Sequence, residues 1–174
     1  MKIKQDAARS QKAFEKIAPM LGAALGGKIV TLEGHKTAFE KKLDYNFGID
    51  GLLITRDGVQ AYAQRTQFNK PYRAYSVRKN RKTQYPTTTE WDKLIRAESL
   101  DDLRPQLSFS VYVDEENRRA DVAWIHTDDL INFIADGHGK VKSHDNGEFY
   151  SASWKALRDG GYQVSEMQIS IEED

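Results

Sequence analysis

The chain has 174 residues, 39% apolar and 30% charged, with 26 Lys/Arg against 26 Asp/Glu and no cysteine. That composition describes a folded globular chain with room for a core. It excludes disulfides, thiolate zinc sites and cysteine nucleophiles. No apolar run approaches the roughly 20 residues of a membrane span, and MKIKQDAARSQKAFEKIAPM at the N-terminus has no apolar signal core. A cytoplasmic protein with no membrane partner is expected.

Residues 3–25 read as a helix, because Ala8, Gln11, Phe14, Ile17, Ala18 and Leu21 recur at helical spacing and Gly26-Gly27 supplies a stop. Pro19 is expected to kink it. Residues 28–32 form a short strand and 37–43 a short helix. The period then changes. Ile49–Thr55 and Val59–Phe68 are strands, and Asp57-Gly58 between them signals a hairpin turn. Ala74–Arg78 is a third strand. Thr87-Thr88-Thr89-Glu90 caps a helix over Trp91–Ala97. Leu107–Val113 and Ala120–Ile125 are strands about the turn EENR, and Thr127-Asp128-Asp129 caps a helix to Ala135. Residues 138–148 read as a polar loop, Trp154–Arg158 as a short helix and Tyr162–Ile171 as a last strand. The order predicts one α+β domain over 1–174, a central sheet with flanking helices.

Neutrality conceals an asymmetry. Residues 1–64 carry 10 Lys/Arg and 7 Asp/Glu (+3), residues 65–82 carry +7, and residues 83–174 carry 9 against 19 (−10). The basic stretch interleaves Lys70, Arg73, Arg78, Lys79, Arg81 and Lys82 with Phe68, Tyr72 and Tyr75. Cations neutralise phosphates and aromatic rings stack on bases, so the stretch points to nucleic acid. The alternative is a solvated turn with the tyrosines in the core. The acidic half suggests a different class of function: a phage or mobile-element regulator or inhibitor that engages a basic protein partner.

Within the hairpin, a three-residue loop Arg56–Gly58 or a two-residue loop Asp57-Gly58 sets Asp50 opposite Gln64 or Arg65. Alternation puts Ala63, Arg65 and Gln67 on one face and Tyr62, Gln64 and Thr66 on the other. A helix, then Gly-Ile-Asp opening a strand, a turn and a polar partner strand resembles the PD-(D/E)XK nuclease core, the restriction-endonuclease-like fold. The resemblance covers about residues 5–80. It implies a nuclease-like core over about 5–100, with residues 101–174 as a C-terminal extension. It also implies that Asp50 binds a divalent metal, usually Mg²⁺, and that Gln64 and Arg65 complete a catalytic site for phosphodiester cleavage. The ligand implied is nucleic acid, DNA before RNA, and a homodimer is usual for nucleases of this size. The second half of the motif departs from the pattern. AQR places Ala63 where the second acid belongs and Arg65 at the lysine, whereas QRT places Gln64 and Thr66 there. Arginine binds phosphate bidentately but does not deprotonate, so it cannot replace a general base. A second metal carboxylate has to come from elsewhere: Glu33 first, otherwise Glu40, Asp44 or Glu90.

His138 and His144 share the polar loop with Asp136, Asp145 and Glu148, but no zinc spacing relates them. His126 reads as a helix-entry residue. Trp91, Trp124 and Trp154 read as core.

Overall fold

A computed structural model describes residues 2–32, 37–69, 73–80, 88–96, 104–144 and 147–171; the side chains of 2–7 and 96 are not described. In chain order the elements are α1 (Lys2–Ala24), β1 (Gly27–Thr31), α2 (Ala38–Lys42), a π-helical turn (Leu43–Phe47), β2 (Gly51–Thr55), β3 (Gly58–Phe68), β4 (Ala74–Arg78), α3 (Glu90–Arg96), β5 (Leu107–Asp114), β6 (Arg119–His126), α4 (Thr127–Ala135), β7 (Lys140–His144), β8 (Gly147–Ser153), α5 (Trp154–Asp159) and β9 (Ser165–Ser170). The fold is mixed α+β, with a central mixed sheet and flanking helices. Among the described residues no helix is long and apolar enough to cross a membrane.

Six strands form one sheet in the order β1-β2-β3-β5-β6-β9. Only the β3–β5 pair is parallel, and the other neighbours are antiparallel. A parallel pair requires a crossover, and residues 69–106 supply it. The sheet combines β1, β2 and β3 with β5, β6 and β9, and β5 lies in its interior, buried along seven of its eight residues.

Alternation along β5 separates two cores. Leu107, Phe109, Val111 and Val113 face α1, where Phe14, Ile17 and Leu21 cover them at no more than 1% exposure. The helical spacing of those three residues is therefore the docking face. The other side of β5 carries Ser108, Ser110 and Tyr112. Both serines are small enough for backbone to approach, and their hydroxyls are satisfied. Ser110 Oγ donates to the carbonyl of Ala74 at 3.1 Å, and Ser108 Oγ lies 3.0 Å from Thr127 Oγ1. A second core, with Leu130, Phe133, Trp154 and Leu157, lies on this side.

Several expectations are corrected. β4 is a strand over the expected residues Ala74–Arg78, but it does not join the central sheet. It belongs to a separate three-stranded sheet, β4-β8-β7, that stands over the serine face of β5. Residues 140–144 are a strand and not a loop; every residue of β7 is exposed, so no apolar alternation marks it. Thr127 does not cap α4 with its side chain, because its buried hydroxyl is turned toward Ser108. Ala8, expected on the buried face of α1, is exposed. The hairpin turn is Arg56-Asp57, with Gly58 already paired to Thr55. Thr55 Oγ1 braces this turn, accepting from the Asp57 N–H at 3.2 Å and donating to the Gly58 carbonyl at 3.3 Å. The loop is therefore one residue shorter than the predicted three-residue loop, and as long as the predicted two-residue loop but one position earlier. Asp50 lies one step beyond the Gly51–Tyr62 pair, beside Ala63 rather than opposite Gln64 or Arg65.

A candidate nucleic-acid cleft

Asp50 is positioned by the end of the π-helical turn. Gly48 closes that turn at φ 66°, a left-handed conformation that glycine adopts without Cβ strain. The chain then extends, and the Asp50 N–H donates to the Tyr62 carbonyl at 2.9 Å. Its carboxylate Oδ2 accepts the backbone N–H of Gln64 at 2.6 Å. The side chain thus continues the hairpin ladder past the first residue of β2. Asp50 and Gln64 do meet, but through the main chain of Gln64. The side-chain amide of Gln64 instead accepts from the Thr66 hydroxyl at 2.8 Å.

Asp50, Gln64 and Arg65 line one cavity of about 290 Å³ between the central sheet, β4 and α3. Glu90 and Lys93 also line it, one helical turn apart on α3, as does Asp44 from the π-helical turn. Thr89 fixes the start of α3. Its hydroxyl accepts from the Asp92 N–H at 3.2 Å and donates to the Asp92 carboxylate at 2.8 Å. The Lys93 ammonium donates to the Asp44 carbonyl at 2.7 Å. No motif in the sequence singles out Lys93. Its i+3 spacing from Glu90 was the available signal.

Glu90 ties the two sheets together. Its Oε1 accepts from Arg65 Nη1 at 2.9 Å, and its Oε2 accepts from the Arg78 N–H at 2.9 Å. Arg78 Nε lies 3.9 Å from the same carboxylate. Both guanidiniums stand over the ring of Phe149, at 5.3 Å for Arg65 and 5.0 Å for Arg78. Such cation–π contacts hold planar cations in place.

The remaining predicted residues scatter. Arg73 pairs with Asp121 at 2.9 Å and Lys79 with Glu148 at 3.6 Å. The +7 of residues 65–82 is therefore partly neutralised by carboxylates from the acidic half of the chain. Tyr75 is no base-stacking platform, since its ring is 3% exposed in the second core. Burial raises its phenol pKa well above the ordinary 10.0. The hydroxyl makes no hydrogen bond among the described residues, and Tyr75 lines the cavity. Lys70, Arg81, Lys82 and Glu33 lie outside the described residues.

For a metal, the acids divide. Asp44 and Glu90 share the cavity with Asp50, whereas Glu40 is spent on the Thr37 capping box. Among the described residues, no three His, Asp or Glu side chains stand close enough to hold an ion. Magnesium needs near-octahedral oxygen ligation, commonly with one or two carboxylates. Here Glu90 is held by two arginines, so the described carboxylates do not complete such a site.

No family model matches the chain, and no curated protein matches it. Among solved structures it is similar to a restriction endonuclease in complex with substrate DNA, at 14% identity and a TM-score of 0.37, over 98% of this chain and 90% of that one.

Proposed function

We propose that this chain is a nucleic-acid-binding protein with a nuclease-like core, which holds the phosphodiester backbone in the cleft between β3, β4 and α3. The observation that carries the reading is the convergence of Arg65 and Arg78, from two different sheets, on one carboxylate beside the cavity of Asp50. A guanidinium hydrogen bond from Arg65, the main-chain N–H of Arg78 and the Arg78 guanidinium at 3.9 Å surround one carboxylate, and donors of these kinds also suit a phosphate. Lys93 adds a cation to the same cavity.

The chemistry this chain supplies by itself is binding and orientation. Arg65 and Arg78 stabilise anionic oxygens, and neither accepts a proton. Asp50 is a cavity carboxylate attached directly to the hairpin ladder. Metal-dependent hydrolysis through Asp50 is the finer proposal, and the same experiment decides it. The acidic half supports a protein-binding role less well. Arg9–Glu115, Arg73–Asp121, Arg104–Asp128 and Arg158–Glu166 pair its carboxylates within the chain.

The test is a gel series with labelled single- and double-stranded DNA, then RNA, in Mg²⁺, Mn²⁺ or EDTA. Asp50→Asn is the variant of choice, because its amide oxygen can still accept the Gln64 N–H. Asp50→Ala would leave that donor without its side-chain acceptor, at a cost of about 1–3 kcal/mol. A salt-sensitive shift that is lost in Arg65→Ala/Arg78→Ala supports the binding reading. Metal-dependent cleavage that disappears in Asp50→Asn assigns hydrolysis. Substrate neither shifted nor cut rejects the proposal and directs the search to a protein partner.

A further inference from the structure

The β7–β8 hairpin places three side chains that the basic stretch does not contain. Lys142 pairs in register with Phe149, and Phe149 with Arg78. Lys140 pairs with Ser151, and Ser151 with Ser76; His144 pairs with Gly147. Directly opposed residues share a face of the sheet. Lys140, Lys142 and His144 therefore stand on the face that carries Arg78 and Phe149. Ring contacts agree, because His144 meets the edge of Phe149 at 5.4 Å while Arg65 and Arg78 lie over the same ring. The opposite face holds Tyr75, Val77 and Ala152, all within the second core.

The charge on this face has one sign. Among its described residues on β4, β8 and β7 there is no carboxylate; Glu148 pairs with Ser143 and so belongs to the other face. Glu90, from α3, meets the face at Arg78. From Arg78 on β4 to Lys142 on β7 is two strand spacings, about 10 Å, and Lys140 stands about 7 Å further along β7. A positive strip thus runs from the cavity to the open edge of the small sheet, where all of β7 is exposed.

We propose that this face of the β4-β8-β7 sheet is the second part of the nucleic-acid surface. Lys140 and Lys142 hold the sugar-phosphate backbone of a strand that leaves the cleft. The proposal rests on the binding reading given above. Its bland rival is that lysines on an edge strand only prevent edge-to-edge pairing.

The deciding measurement is the affinity for a fixed duplex across a salt series. It compares the wild type, Lys140→Gln/Lys142→Gln, Lys140→Arg/Lys142→Arg, and Lys12→Gln/Lys155→Gln as a control of equal charge change elsewhere. Each lost phosphate contact removes about 0.9 from the slope of log K against log salt, so two contacts remove about 1.8. The glutamine pair on β7 should show that loss, while the arginine pair and the control keep the wild-type slope. All four lysines are exposed, so melting temperatures should agree. A wild type that binds while the β7 glutamine variant keeps its slope overturns this proposal alone, as does a variant that self-associates with its slope intact. A wild type that binds no nucleic acid overturns both readings.

Discussion

Arg65 Nη1 donates to Glu90 Oε1 at 2.9 Å across 25 residues of sequence, and so joins β3 to the first turn of α3. The same carboxylate accepts the N–H of Arg78. A carboxylate that gathers two arginines is both a brace and a competitor for phosphate. Glu90→Ala should lower stability by about 1–2 kcal/mol in urea unfolding, because it strips hydrogen-bond acceptors from a partly buried cluster. Glu90→Gln keeps an acceptor and removes one negative charge from the cleft. It should bind duplex more tightly, on the order of tenfold at low salt, since about 1.4 kcal/mol of repulsion is removed. Unchanged or weaker binding would show that phosphate does not enter between Arg65 and Arg78.

Gly51 follows Asp50 and pairs with Tyr62, whose ring lies across it. A Cβ at residue 51 would stand 2.2 Å from the Tyr62 hydroxyl oxygen and 2.5 Å from the Val30 carbonyl oxygen. Tyr62 is fully buried against Phe14 and Phe109 and has nowhere to retreat. Gly51→Ala should therefore destabilise by about 3 kcal/mol or more, the range of severe overpacking. Thermal unfolding reads this. Gly58→Ala, with open space around its Cβ but φ at +146°, should carry only the milder backbone penalty.

Asn69 and Glu115 fasten the end of β3 to the β5–β6 turn. The Asn69 side chain donates to the Glu115 carboxylate at 2.8 Å and accepts from the Glu115 N–H at 3.2 Å. The hydrogen bond from Arg9 first, then that from Asn69, hold Glu115 below its ordinary value of 4.5. A carboxylate whose pKa is depressed by folding contributes stability above its unfolded pKa and loses it as pH falls through the folded one. The melting-temperature gap between the wild type and Glu115→Gln should thus be present at neutral pH and close below about pH 4. The pair is nearly half exposed, so its size is under about 1 kcal/mol. A gap that is constant from pH 7 to pH 3 would contradict this assignment.

How much was legible depended on where a side chain's environment came from. The buried face of α1 is written in its own spacing, because a helix buries every third or fourth residue whatever it packs against. The alternation that set Arg65 apart from Tyr62 is likewise local, and it survives the error in the turn. The turn itself was misread by one residue. Asp57-Gly58 carries the usual signal, but the Thr55 hydroxyl stabilises Arg56-Asp57 instead, a side-chain effect outside the dipeptide. β7 was invisible because an edge strand exposed on both faces has no apolar period to show.

From sequence alone, then, came the α+β class, Asp50 at the mouth of a hairpin, and the concentration of positive charge after it. These are properties of neighbours along the chain. Only the tertiary structure decided which sheet each strand joins. That choice put Arg78 beside Arg65 with Glu90 between them, buried Tyr75, paired Arg73 and Lys79 with distant acids, and brought Lys142 into line with Phe149. The reason is physical. Charge and hydrogen-bonding capacity are counted along the chain, but they act over a few ångströms. Folding places the partners within that reach.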